Sequence, residues 1–243
     1  MDDGDLSGLQ QSLVYILQKI KADYGDSLSN LHITGGLPIG VKRLLTRFFR
    51  LFDESCRAYL AFHKDHRKVQ CRIGCFFCCY QIPYGLSTLE YLYLYEGICQ
   101  VKANTLFLKS LLNSCENLSL DFLELANSTK TGISEETILE RYSKRLIACP
   151  FLDKTSKLCL IYDFRPLVCR MHVSFSSPRF CHPLHGESWR CEGTNIEPSD
   201  IVKKTLQMLD EVFPFSLSPF LTMGIVEFMV NIVRCRPIRW ESC

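Results

Sequence analysis

The sequence predicts a mainly α-helical protein, a single helical domain carrying a small cysteine-rich β-hairpin and loop region as a metal site. Three observations predict it. Apolar residues recur at three- and four-residue spacing over most of the chain. Hydrophobic residues make up 47 % of 243, ample for a packed core. Nine of the fourteen cysteines fall in two clusters, Cys71 to Cys79 and Cys149 to Cys191, with helical pattern between them. The clusters lie far apart in sequence, so 1–243 reads as one domain: N-terminal helices over 1–70, a cysteine core with intervening helices over 71–191, and C-terminal helices over 199–235.

Leu6, Leu9, Leu13, Ile16 and Ile20 line one helical face, which predicts a first helix to about Tyr24. Glycines and Pro38 make 33–40 a loop; it lacks the Gly-Lys-Ser/Thr ending of a phosphate cradle. A helix over 41–68 follows, with Leu44, Leu45, Phe48, Phe52, Cys56, Tyr59 and Leu60 on or near one face and His63 and His66 at its solvated end. Ser87-Thr-Leu-Glu90 is a capping box opening a helix to about Gln100. Helical segments are expected at 104–117, 118–126 and 134–148. The runs 150–153 and 158–162 flank a polar turn, as the strands of a hairpin do. The stretch 176–199 reads as an irregular loop. Helices over 199–213 and 218–235 close the chain, the last with Ser218 as N-cap and Pro219 in its first turn. Its apolar part, 220–233, is interrupted by Glu227 and Asn231 and is too short to cross a bilayer.

The 28 basic and 26 acidic residues leave a formal charge of +2, so no bulk pull toward nucleic acid or an anionic membrane is expected. Lys42, Arg43, Arg47, Arg50, Arg234, Arg236 and Arg239 read as ordinary helix-face and terminal charges. The acidic start, without a basic segment ahead of an apolar core, gives no sign of a signal peptide, so a cytoplasmic location is expected. In a reducing compartment clustered cysteines are ligands or catalytic thiols more often than bridges.

Cys71-Arg-Ile-Gly-Cys75-Phe-Phe-Cys78-Cys79 puts four thiols within nine residues, close enough to share a metal with little loop-closure entropy. Cys149, Cys159 and Cys169 recur ten residues apart, and Cys181 and Cys191 follow as additional candidates. Cys56, Cys99, Cys115, Cys235 and Cys243 stand singly and read as structural. Four thiolates on Zn2+ or on an oxidised four-iron cluster leave about two negative charges, which Arg165 and Arg170 are placed to offset. Adjacent Cys78 and Cys79 are awkward for one tetrahedral ion and suit shared ligands or a cluster, which favours iron-sulfur over zinc. His172, His182 and His185 are further candidates for a mixed site.

These blocks resemble the YkgJ-type cysteine-cluster family, described as zinc- or iron-chelating. The resemblance lies in Cys71-x3-Cys75-x2-Cys78-Cys79-Tyr-Gln and in Cys149-Pro-Phe-Leu, Cys159-x-Ile-Tyr and Arg165-Pro-x-x-Cys169-Arg170, spanning 71–170. Many members carry two residues between the first two cysteines; three, with glycine before Cys75, is closer to the branch of flagellin lysine methylases. The resemblance implies zinc or iron-sulfur binding. Cys71-x3-Cys75-x2-Cys78 also fits the radical S-adenosylmethionine motif, but a helix precedes it and alternating strand and helix units are lacking.

Two functions follow: a metalloprotein without catalysis of its own, whose partner is a metal ion or cluster, or an S-adenosylmethionine-dependent protein lysine methyltransferase using the cluster and acting on a protein substrate. No Ser-His-Asp set, paired-carboxylate pattern or nucleotide loop is visible. Nucleic-acid and membrane partners are not expected, and the choice between a catalytic and a non-catalytic role stays open.

Overall fold

The computed structural model describes residues 3–62, 68–72, 74–101, 105–128, 134–182 and 192–242. Cys191, Cys243, His63, His66 and His185 lie outside them. The described chain is mainly α-helical, with only small sheets. No described helix is long and apolar enough to cross a membrane.

Helix α1, Asp3–Ser29, buries Leu13, Ile16, Leu17, Ile20 and Leu28 and packs along α3 and α8. It runs past the expected end, and Gly35 in the left-handed region (φ 63°) stops the short α2, Leu31–Thr34. The expected loop over 33–40 contains strand β1, Gly36–Pro38, paired in parallel with β4, Arg239–Glu241. Local sequence carries no sign of this pairing, because the partner lies at the other end of the chain. Helix α3, Ile39–Phe62, starts earlier than expected and buries Leu45, Phe48, Phe49 and Phe52.

Helix α4, Thr88–Gln100, is buried on all sides over its first two turns. Its N-terminus is the expected capping box: Ser87 Oγ accepts from Glu90 N, and Glu90 Oε2 accepts from Ser87 N at 2.9 Å. Helix α5, Thr105–Ser128, is continuous where two helices were expected, since Leu111, Ser114, Leu118 and Asp121 keep one buried face across the predicted break. Helix α6, Glu135–Lys144, starts as expected, with Ser134 as its N-cap, and ends early, with Leu146 at φ 54°.

The expected hairpin reduces to one antiparallel bridge, Leu152 with Cys159. Asp153 caps the intervening turn by accepting from Thr155 N and Ser156 N, and the second run is drawn into a 3-10 turn, Tyr162–Phe164. Helix α7, Leu167–Met171, and strands β2, His172–Ser174, and β3, Gly193–Asn195, were not foreseen; the strands pair antiparallel. Helix α8 is Asp200–Asp210. Helix α9, Leu221–Glu227, continues as a π-type turn, Phe228–Ile232. Ser218 is not its N-cap: Ser218 N donates to Glu227 Oε2 at 2.6 Å, and Leu221 N pairs with Pro83 O, so the helix starts after Phe220.

Three contacts fasten α7 to this frame. Leu167 N donates to Glu90 Oε1 at 2.8 Å. Arg170 pairs with Asp53 of α3, and its ring-face neighbour is Phe49, 5.0 Å from the guanidinium carbon. Leu167 itself is buried in the core that α1, α3, α4 and α9 share.

Candidate metal centre

The first cysteine block is built from two tight turns. Gly74, at φ 83°, lets the chain fold back so that Cys75 N donates to Arg72 O at 2.9 Å. A 3-10 turn, Phe77–Tyr80, follows, with Cys79 N donating to Phe76 O. The block is anchored on β2, where Gln70 N donates to Ser174 O and Ser174 N donates to Cys71 Sγ at 3.2 Å.

The second block meets the first through the backbone: Cys149 N donates to Cys79 O at 2.6 Å. Cys159 follows on the bridged turn and Cys169 on α7. As a result Cys75, Cys78, Cys79, Cys149, Cys159 and Cys169 all line one cavity of about 610 Å³. Cys71 sits beside it without lining it. Cys181 is buried in a 3-10 turn, Pro178–Cys181, packed on the turn of Phe77–Tyr80 and away from the cavity wall. No disulfide joins the described cysteines. Among the described residues no group of three or more His, Cys, Asp or Glu side chains is placed to hold a metal ion as the side chains stand. The thiols line a wall rather than converge on a point.

Several features fit this wall to a cation. The backbone amide two residues on favours the thiolate at Cys75 (Phe77), Cys149 (Phe151) and Cys159 (Ile161), working against the effect of burial. Hydrogen bonding from the Cys79 thiol holds Cys78 below the ordinary thiol value, helped by the nearby charges of His172 and Arg165, and the same bond pushes Cys79 far up. Burial raises Cys75 and Cys159, lifts Cys149 to about 12 and takes Cys169 well above the ordinary thiol value. Thiols crowded this way repel one another's ionisation, and a bound metal ion supplies the charge that lets them ionise together, releasing protons.

Arg165 lines the cavity, its guanidinium 4.0 Å over the Tyr162 ring, and its charge favours the thiolates of Cys78, Cys159 and Cys169. Its Nε is buried and has no hydrogen-bond partner among the described residues. Arg170 does not line the cavity. It is turned to Asp53, Arg165 O and Asp163 O, so it positions the Arg165 backbone, while its charge still reaches Cys159. His172 lines the cavity with Nδ1 3.1 Å from Asn195 Oδ1. His182 is instead set among the rings of Phe77 and Tyr80.

Sequence reasoning did not single out Arg72, Lys157, Tyr162 and Asn195, which also line the cavity. The first two are cations next to proposed ligands or in the bridged turn, a signal available in the sequence; Asn195 arrives only through the β2–β3 pairing. Of the cysteines read as buried fillers, Cys56 is buried and Cys115 half-buried, but Cys99 and Cys235 are exposed. Cys99 lies in the last turn of α4 and Cys235 follows the π-type turn.

A family model of the CxxCxxCC domain, described as a domain proposed to chelate zinc or iron, matches residues 70–192, just over half of the chain. The chain belongs to the CxxCxxCC family. Its match begins at Gln70, the residue anchored on Ser174, and ends at Glu192, so it takes in both cysteine blocks and all six cavity thiols. The CxxCxxCC spacing has two residues between its first cysteines; this chain has three, and the turn closed by Cys75 N and Arg72 O takes up the extra one. No curated protein and no solved structure matches the chain.

Proposed function

We propose that this protein binds zinc or iron through the cavity thiols of Cys75, Cys78, Cys79, Cys149, Cys159 and Cys169, with Cys71 as a rim ligand. The observation that carries this is that two cysteine blocks, separated in sequence by α4, α5 and α6, line a single cavity. Membership of a family described as zinc- or iron-chelating supports it. Cys181 and Cys191 take a secondary place, Cys181 because it lies off the wall.

Six thiols exceed the four that one tetrahedral ion takes, and adjacent Cys78 and Cys79 suit ligands split between centres or a larger cluster. The iron-sulfur form is therefore the favoured one. The alternative, an S-adenosylmethionine-dependent lysine methyltransferase, draws on the three-residue spacing after Cys71 and on the room beside the thiols. Failure of iron-loaded protein to bind the methyl donor by calorimetry would remove it.

The deciding experiment is metal analysis with a visible spectrum on protein purified without oxygen from iron-supplemented cells. Broad absorption near ~400 nm with several irons per chain establishes the cluster. A colourless protein with one or two zinc ions keeps the metal site and gives the metal as zinc. Protein that binds neither metal in stoichiometric amount overturns the proposal.

A further inference from the structure

Beside the six thiols, much of the cavity lining is apolar, formed by Ile82, Pro83, Leu152, Ile161, Val168 and Leu221. A tetrahedral ion sits about 2.3 Å from its sulfurs, so a metal centre takes only a fraction of about 610 Å³. Spaces of roughly 300–1,000 Å³ with apolar walls and a few fixed polar groups are the size of organic-ligand sites.

Apart from the thiols, the charged side chains on this wall are of one sign. Arg72, Lys157 and Arg165 line the cavity, and among the described residues no Asp or Glu does. Arg165 acts on the thiols Cys78, Cys159 and Cys169. Lys157 belongs to the capped turn, its amide bonded to Asp153 O at 2.8 Å and its ammonium 4.9 Å over the Phe76 ring. With four of the six thiols ligating as thiolates and the other two protonated, a centre on Zn2+ or an oxidised four-iron cluster carries about two negative charges, so three cations leave roughly one positive charge over.

We propose that the cavity also seats a small organic anion, an acid group on an apolar body, with its apolar part against Ile82, Leu152, Val168 and Leu221 and its charge toward Arg72 and Lys157. This rests on the thiol wall being a metal centre: the centre accounts for the thiols and Arg165, and the anion for the apolar walls and the remaining cations. S-adenosylmethionine, with one net positive charge, is a poorer match to these cations than a carboxylate or a phosphate monoester.

The test is titration calorimetry on the metal-loaded full chain with hexanoate, hexyl phosphate and 1-hexanol. One of the two anions should bind at least about tenfold more tightly than the alcohol, a difference of about 1.4 kcal/mol. The double variant Arg72→Gln, Lys157→Gln changes two exposed side chains and should remove that preference while leaving metal content and hexanol affinity as they are. Hexanol binding as tightly as both anions, or an anion preference that survives in the double variant, overturns the proposal. Metal content of the same samples separates the two failures: full metal without anion preference sinks this proposal alone. Anion preference in a chain that takes up no metal sinks the metal reading and, with it, the division of the wall proposed here.

Discussion

Each guanidinium nitrogen of Arg170 has its own partner: Nε donates to Arg165 O at 2.8 Å, Nη1 to Asp53 Oδ2 at 2.5 Å and Nη2 to Asp163 O at 2.5 Å. The side chain is 2 % exposed while Asp53 keeps 33 % of its own exposed, so removing it leaves a partly hydrated carboxylate and two carbonyls without their donor. Arg170→Met should therefore destabilise the protein by about 3 kcal/mol in urea unfolding, and Arg170→Lys should recover little, since an ammonium cannot reproduce the fork. A cost below about 1 kcal/mol would mean that this contact is not what holds α7. The sequence pointed to Arg165 and Arg170 alike because each flanks a cysteine. Which of the two faces the thiols was not legible, because Asp53 lies far back in the chain and only the packing of α7 on α3 brings it to Arg170.

Among the elements, those with a local signal were readable. Ser87 and Glu90 announce α4, because a cap is made by residues within three positions of each other. Elements defined by distant partners were not: β1 needs β4, β2 needs β3, and the start of α9 is set by Pro83 and Glu227 rather than by Ser218. The β1–β4 corner is also where pH acts on stability. Half-buried Glu96 of α4 accepts from Lys42 of α3 at 2.6 Å, Gln100 at 2.9 Å and Trp240 of β4 at 2.8 Å. Burial works to raise its pKa, but these bonds outweigh burial and hold it below the ordinary 4.5. A depressed folded value means that the stabilisation is fully present above the unfolded value and is lost as pH falls through the folded one. The stability gap between the parent and Glu96→Gln should be constant above about pH 5.5 and shrink below 4.5, as followed by urea unfolding across that range. A gap that widens on acidification would reverse the assignment.

Across the whole molecule, the helical class followed from apolar spacing, and the same residues that set the spacing, Leu13 to Ile20 and Leu45 to Phe52, form the core. The metal-site cysteines were readable as two blocks because ligands close in sequence need little help from the fold. That six of them face one cavity, and that Cys181 does not, depended on the Cys149 N to Cys79 O contact and on where α7 sits, neither of which leaves a trace in local sequence. The account therefore stands on what the thiols hold. X-ray absorption at the metal edge of the protein as purified without oxygen tests it most directly: the account predicts a first shell of sulfur at about 2.3 Å, depleted in Cys79→Ser and Cys149→Ser and unchanged in Cys115→Ser. A first shell of nitrogen and oxygen at about 2.0–2.1 Å, the same in all of these variants, would contradict it.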